Sequence, residues 1–463
     1  MKTVIITITH GGIVRNMLRS DVFKILQSNK NLRIILAVLP LTEVFNNKSF
    51  AAEFKGKNVV VENLPFKLNI VERVLRKMAE VVFFNINYVE TDKIREMMLK
   101  KKKYSRYLLL KLVKKVLGKN RNLIEALERL DMFLFKYKCK RYKDLFEKYN
   151  LSLIFSTDFL CPYEWGLIKA AKRYKVPIIS MIANWDHLTK GRLPKSDKVV
   201  VWNDFQKRQL IEYYDYNPSD ILVSGIPHLD YFVREKGKFL SKKEFLKSIG
   251  APTDKKLITY TTAPVTGSPF EQDIIEIICK AMKNGEITHP SHLHVRFHPA
   301  DYFNRYEKLK KYENIITFEK PGKSVSGTKY EWCPSEEDML HYVNLLSCSD
   351  VLINVASTVT IDAAAFDTPI VNIAFDGYEQ REFVESNARY FHYTHYSNIA
   401  KSKGVKIAKN ADELIKFINM YLNDPGLDSK GRKRILKEQC YKLDGRAGER
   451  VANYILDFLK SGG

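Results

Sequence analysis

A histidine, a glycine pair and an arginine follow the first apolar run of the chain: Thr9-His10-Gly11-Gly12-Ile13-Val14-Arg15. A strand that runs into two glycines and then a helix leaves free backbone N–H groups and a positive dipole end at the carboxyl edge of a sheet, where an anion can sit. His10 at the strand end can serve as a base or as a structural hydrogen-bonder, with Gly11, Gly12 and Arg15 beside it. The spacing is not G-x-G-x-x-G, and a plain tight turn also accounts for the glycines. A second group is Ser156-Thr157-Asp158 with Glu164 beyond it, and a third is Asn184-Trp185-Asp186-His187. If strands precede both, Asp158, Glu164, Asp186 and His187 share one lip of a sheet with His10, and one of them can deprotonate a hydroxyl. Asp158 as a simple helix cap is the competing reading.

The second half carries different chemistry. Val351-Leu352-Ile353-Asn354 reads as a buried strand ending in a small polar turn, Val355-Ala356-Ser357-Thr358. Ser357 and Thr358 are expected to cap the helix that follows, and hydroxyls with free amides at a helix start suit a diphosphate. Asp362, one turn further on, is placed to accept hydrogen bonds from ribose hydroxyls. A plain loop with a Ser/Thr cap is the alternative. Arg296 and His298 sit in Val295-Arg296-Phe297-His298-Pro299, where the proline keeps the strand end extended. His298 can hydrogen-bond a phosphate or a leaving-group oxygen, and Thr262 closes the strand Lys256–Thr262 on the same side.

These residues need a scaffold of strand–helix units. Short β-branched runs alternate with helical patterns, which indicates parallel βαβ construction. Strands are expected at Thr3–Thr9, Leu32–Leu39, Asn58–Glu62, Leu151–Ser156, Val176–Ile182, Lys198–Trp202 and Ile221–Ser224. A second series runs Lys256–Thr262, His292–His298, Asn314–Phe318, Val351–Asn354 and Ile370–Ala374. At 463 residues the chain exceeds one ordinary core. The predicted fold class is α/β, with two Rossmann-like domains facing each other across a cleft. The N-terminal domain spans 1–232, with a helical insertion over about 90–148 made of two long helices, 90–118 and 120–148. The C-terminal domain spans 233–440 behind a charged linker near 233–247, and 441–463 forms a C-terminal helix.

Apolar residues make up 45% of the chain and charged residues 28%, a globular balance. No apolar run reaches the length of a membrane span. The N-terminus has no signal-peptide cleavage pattern. The six cysteines show no metal or disulfide spacing, so no metal is expected and a reducing cytoplasm fits. The net charge of +23 attracts anions. No nucleic-acid-binding module accompanies it, so no nucleic-acid partner is expected, although a basic nucleic-acid binder on a Rossmann scaffold is the non-enzyme alternative. Within 93–121, Lys100–Lys103 precede Leu108, Leu109, Leu112, Val113 and Val116 at helical spacing. That pattern reads as a basic amphipathic helix able to lie on the cytoplasmic face of a membrane, or as a core helix with a solvated lysine face.

The pieces in this order resemble the GT-B glycosyltransferase superfamily. Ile154–Lys190 resembles the corresponding region of UDP-N-acetylglucosamine 2-epimerase. Ser224-Gly225-Ile226-Pro227-His228-Leu229-Asp230 resembles the G-x-P-x-x-D of that group and of CDP-glycerol glycerophosphotransferases. His298-Pro299 resembles the H-P pair of the latter and of sialyl- and Kdo-transferases. Ser357–Val371 resembles the donor phosphate and ribose segment. Departures are Asp362, where many GT-B enzymes have glutamate, and Val355-Ala356-Ser357-Thr358, where the epimerase turn is glycine-rich. The resemblance implies a metal-independent glycosyltransferase without a cofactor, acting on a glycan or lipid-linked glycan acceptor in surface-polymer assembly. It assigns Ser357, Thr358 and His298 to donor phosphate and Asp362 to ribose. It implies a CMP- or CDP-linked donor ahead of a UDP-linked one. UDP-sugar 2-epimerisation and transfer from CDP-glycerol are the alternative reactions.

Overall fold

The structure is a computed structural model and describes residues 1–39, 48–65, 69–87, 89–135, 140–192, 194–322 and 332–461. The chain divides into two compact units, Met1–Asp230 with Arg446–Gly463, and Tyr231–Gly445.

The first unit is built on seven parallel strands: β1 Lys2–Ile8, β2 Leu32–Val38, β3 Val59–Asn63, β4 Leu153–Ser156, β5 Ile178–Met181, β6 Lys198–Val201 and β7 Ile221–Val223. Their order is β3-β2-β1-β4-β5-β6-β7, with Val4 opposite Ile34 on one side and Leu153 on the other. Helices cover both faces of such a sheet, so its strands read as apolar runs rather than alternations. Six of the seven residues of β1 are buried. The strand order reverses between β1 and β4, and the carboxyl ends of those two strands form the crevice where doubly wound sheets bind ligands.

Helices α1 Asp21–Ser28 and α2 Ile70–Ile86 belong to this unit, the latter started by a reciprocal Asn69–Glu72 capping box. The insertion differs from its expected form. It consists of α3 Glu90–Lys102, α4 Tyr104–Leu117, α5 Arg121–Phe135 and α6 Lys140–Tyr149; residues 136–139 of the expected second helix lie outside the described residues. The break falls inside the lysine block. Lys100, Lys101 and Lys102 occupy the last turn of α3, where cations favour a helix end, and Lys103 leaves the helical region at φ −148°, ψ 68°. Helix α4 buries none of its residues, and Leu109, Leu112 and Val116 are 60%, 58% and 75% exposed. Leu109, Leu112 and Val116 therefore do not form a core face. The Asn85 amide holds the far end of α4 by donating to the carbonyls of Lys114 and Gly118.

The C-terminal helix Ala447–Lys460 packs on α1. The Asp230 carboxylate accepts from the N–H groups of Ala447 and Gly448 at 2.9 and 2.6 Å, placing a negative charge on the positive end of that helix. Residues 462–463 of the expected C-terminal segment lie outside the described residues.

The second unit has six parallel strands: β8 Lys256–Thr261, β9 Ser291–Arg296, β10 Ile316–Glu319, β11 Val351–Asn354, β12 Ile370–Ile373 and β13 Lys406–Ala408, in the order β10-β9-β8-β11-β12-β13. The short edge strand β13 is absent from the expected series. The order reverses here between β8 and β11. The expected linker near 233–247 is not without structure. Helix Lys242–Ser248 begins there on a Ser241–Glu244 capping box, an S-x-x-E signature lying inside the charged run. Helices α8 Glu336–Cys348 and α9 Val359–Ala364 flank β11.

Candidate functional site

The β1–β4 crevice gathers the four residues expected to do acid–base work. Asp158 follows β4 and is buried. One carboxylate oxygen lies 3.3 Å from His10 Nε2 and accepts from the Thr9 hydroxyl at 3.4 Å; the other lies 3.7 Å from His187 Nδ1. The Asp158 carboxylate thus sits between two imidazoles. The Nδ1 of His10 accepts from Gly12 N–H at 3.0 Å, which leaves Nε2 as the nitrogen that faces Asp158 with a proton. A Cβ on Gly12 would stand 2.8 Å from the His10 ring, so the glycine is what lets the imidazole fold over the turn. Gly11 is buried under that turn, and Arg15 donates through Nε to the Asn16 side chain. Asn16 donates in turn to the Ala183 carbonyl, tying the first turn to the chain that carries His187.

Glu164 lies behind Asp158, fully buried. It accepts from the Ser156 hydroxyl and from the Asp158 N–H. Burial, reinforced by the Asp158 charge, pushes its pKa up to about 8. Glu164 is therefore held neutral at neutral pH, beside the Asp158 carboxylate. Burial lowers the His187 pKa, while Asp158 and Asp186 oppose the shift. A neutral imidazole with one nitrogen towards a carboxylate has its other nitrogen available as a proton acceptor. Lys190 pairs with Asp186 one helical turn away.

The β8–β11 edge is built from other groups. Thr262 donates to Asp301 at 2.8 Å and accepts from the His298 N–H at 2.9 Å. The Nδ1 of His298 accepts from Ala300 N–H at 3.0 Å, a turn that fixes the ring at the end of β9. The β11–α9 turn passes through Ala356 at φ +32°, a sparsely populated conformation for a residue with a Cβ. Ser357 Oγ accepts from Val359 N–H at 3.4 Å. Thr358, contrary to expectation, makes no side-chain cap, because its backbone is already helical at φ −59°, ψ −24° while caps require extended backbone. Asp362 does not lie open at the mouth as expected. It is 2% exposed and accepts from the Tyr342 hydroxyl at 2.8 Å. The Tyr342 ring in turn lies under the Arg296 guanidinium, 5.1 Å from its centre.

Several residues that hold this edge escaped the sequence reading. Asn354 Oδ1 accepts from Ser357 N–H, the Thr360 hydroxyl and the Asn372 amide, at 3.3, 3.2 and 3.1 Å. Tyr396 donates to Asn372 at 2.7 Å and meets Thr360 at 3.0 Å. Two asparagines at the inner ends of adjacent parallel strands were the available signal, since strands disfavour asparagine.

A protein-family model matches residues 180–457, described as CDP-Glycerol:Poly(glycerophosphate) glycerophosphotransferase. The chain belongs to this glycerophosphotransferase family. Among solved structures it is similar to UDP-GlcNAc 2-epimerase from Neisseria meningitidis bound to UDP-GlcNAc, with TM-score 0.58 and 12% identity over 99% of this chain and 100% of that one. It is similar to S. aureus MnaA with UDP, with TM-score 0.55 and 13% identity over 99% and 97%. It is also similar to a glycosyltransferase from Rickettsia africae, with TM-score 0.51 and 13% identity over 100% and 98%. At these identities the likeness is one of fold, and the GT-B resemblance read from the sequence holds at that level. No curated protein matches the chain. The glycerophosphotransferase match takes in His187, His298, Ser357, Thr358 and Asp362, while His10, Asp158 and Glu164 precede it.

In this glycerophosphotransferase-family chain, one cluster has the composition of a metal site: His294, Glu319 and His341. Glu319 is also ion-paired with Arg296. Burial would raise its pKa, but the Arg296 charge and the histidine contacts outweigh burial and hold it well below the usual range. The guanidinium already supplies the cation the carboxylate needs, so the cluster reads as an ion-pair hub that orients Arg296. Among the described residues no helix is long and apolar enough to cross a membrane.

Proposed function

We propose that this protein transfers a glycerol-phosphate-type unit from a CDP-linked donor to a hydroxyl of a surface polymer acceptor. The observation that carries this reading is the Asp158 carboxylate between His10 and His187 at a strand-order switch, in a chain of the glycerophosphotransferase family. His187 takes the proton of the acceptor hydroxyl at Nε2. The Asp158 charge, 3.7 Å from Nδ1, stabilises the imidazolium that forms, and His10 and Glu164 hold Asp158. The acceptor oxygen forms a bond to the phosphorus of the transferred unit, the bond from that phosphorus to the bridging oxygen breaks, and CMP leaves. His298, Ser357, Thr358 and Thr262 are assigned to the donor phosphates, with Arg296 supplying positive charge. Asp362 acts through Tyr342 and not on the ribose directly. The assigned groups neutralise the leaving phosphate without a metal.

The test is the leaving group. Incubation with CDP-glycerol and a glycerophosphate-primed acceptor is expected to release CMP only when both are present. Release of CDP or UDP from a nucleotide sugar instead marks glycosyl transfer. Conversion of a UDP-sugar at C2 without acceptor marks epimerisation. Either result overturns the proposal.

A peripheral contact with the cytoplasmic face of a membrane belongs to the same reading, supported by the exposed leucines of α4 behind the lysines that end α3. Each lysine near an anionic surface contributes about 1 kcal/mol. Replacing Lys100–Lys103 by glutamine is expected to abolish sedimentation with anionic liposomes at low salt. Equal pelleting of both proteins with neutral and anionic vesicles would leave α4 a structural helix only.

A further inference from the structure

Away from the strand edges, the first unit has a pocket open to solvent. It is bounded by α2, α5, helix Trp165–Tyr174 (α7) and the segment that leads to β6. Its walls combine two chemistries. Apolar surface comes from Leu75, Leu127, Met132, Ile168 and the indole of Trp165. Five cationic side chains face two carboxylates. The carboxylates are already engaged: Asp131 by Lys169, Glu128 by Arg192. Arg76, Lys172 and Lys195 have no ion-paired carboxylate among the described residues.

Arg76 is the informative one. Its guanidinium lies on the face of Trp165, and it donates no hydrogen bond to protein among the described residues. A guanidinium presents five N–H groups in a fork that matches phosphate oxygens. Burial lowers its pKa to about 9, with the charges of Glu80 and Asp131 opposing the shift. Lys172 lies two turns along α7 from Trp165, about 10 Å away, on the same side of the helix as Ile168 and Lys169. Trp165 in turn donates from its indole N–H to the Phe159 carbonyl at 3.1 Å, in the loop that carries Asp158.

We propose that this pocket binds a phosphomonoester attached to a hydrocarbon chain, with the phosphate on Arg76, Lys172 and Lys195 and the chain on the apolar wall. The inference rests on the first unit alone and does not depend on the transferase reading.

The experiment is calorimetry of the full chain with geranyl phosphate, with inorganic phosphate and geraniol as separate arms. Dihexanoyl phosphatidic acid, below its micellar concentration, is a fourth arm that separates a single prenyl-type chain from a glycerolipid. Geranyl phosphate is expected to bind at least tenfold more tightly than any of the other three. Arg76→Gln is expected to weaken its binding at least tenfold. Should that variant not fold, Lys172→Gln, at an exposed position, is expected to fold and to weaken binding severalfold. Absence of geranyl phosphate binding overturns the proposal, as does unchanged affinity in folded Arg76→Gln or Lys172→Gln. Equal affinity for inorganic phosphate, or for geraniol, removes one half of the recognition and overturns it too. Tighter binding of the phosphatidic acid assigns the pocket to glycerolipid instead of a single chain and overturns that part.

Discussion

At the β1–β4 edge acids and imidazoles stand together: Asp158, Glu164 and His187 are buried, and His10 is partly exposed. Beneath the β11–α9 turn the buried polar groups are amides and hydroxyls: Asn354, Thr360, Asn372 and Tyr396, with the tyrosine held protonated by burial. Two members of the first set are moved by burial, Glu164 up to about 8 and His187 down. The second set presents fixed dipoles. A proton acceptor has to be tunable, whereas a cradle for a phosphate that is always charged works best when nothing in it titrates. The same doubly wound plan supports both, and side chains at the strand ends decide which edge does what.

The contrast can be broken most severely at His187. Replacing it by glutamine should lower transfer by roughly 10²–10⁴-fold while the fold survives. A steady-state rate within a few fold of the parent, on a protein with unchanged circular dichroism, would remove acid–base chemistry from the first edge. At the second edge, Asn354→Ala strips three donors of their shared acceptor. Each buried donor left unpaired costs about 1–3 kcal/mol, and at this domain size 1 kcal/mol moves Tm by about 2–4 °C. Calorimetry should therefore show a lowered transition, with donor affinity reduced at every pH. An affinity loss in Asn354→Ala whose size varies with pH around neutrality would contradict the fixed-dipole picture.

Glu164 gives a gentler, pH-resolved comparison. Its folded pKa lies above the unfolded one, so its contribution to stability is fully present below the unfolded pKa of about 4.5 and is lost as pH rises through about 8. Thermal melts of the parent should fall in Tm between those values. Glu164→Gln, which keeps the shape of the neutral acid, should flatten that dependence. Glu271 in the second unit is also raised to about 8, by burial, so a residual slope should remain in the variant. A slope unaffected by Glu164→Gln would assign the whole effect elsewhere. The smallest effect is expected at Ser357→Ala, where the cap bond is long: about 0.5 kcal/mol of stability, at the low end for N-caps. A much larger drop in donor affinity than in stability would mark Ser357 as a phosphate contact.

Much of this arrangement was legible in the residues. Strands buried on both faces appear as uninterrupted apolar runs, so β1, β2, β8 and β11 could be placed within a residue or two. The polar residues just past them then had to lie on one edge. The pairing of Asp158 with Thr9, 149 positions away, follows from strand order, which no local pattern encodes. Other features turned on balances that spacing does not reveal. The lysine block reads as the middle of a helix by period, but its charges favour a helix end, and the chain breaks at Lys103. Ser357 and Thr358 are equally good caps by type; the backbone at 358 is already helical, so only one can serve. Asn354 and Asn372 look like strand breakers until their amides are seen to meet each other.

The helix Ala447–Lys460 has a consequence for biosynthesis. Because it completes the first unit, residues 231–445 must be translated before that unit can close. At about 5–20 residues per second, the intervening 215 residues take roughly 10–40 s on the ribosome. Throughout that interval the face of α1 that receives the helix is bare, and the Asp230 carboxylate has no helix end to neutralise. Nascent chains should be most open to proteases and chaperones at α1, until the last segment emerges.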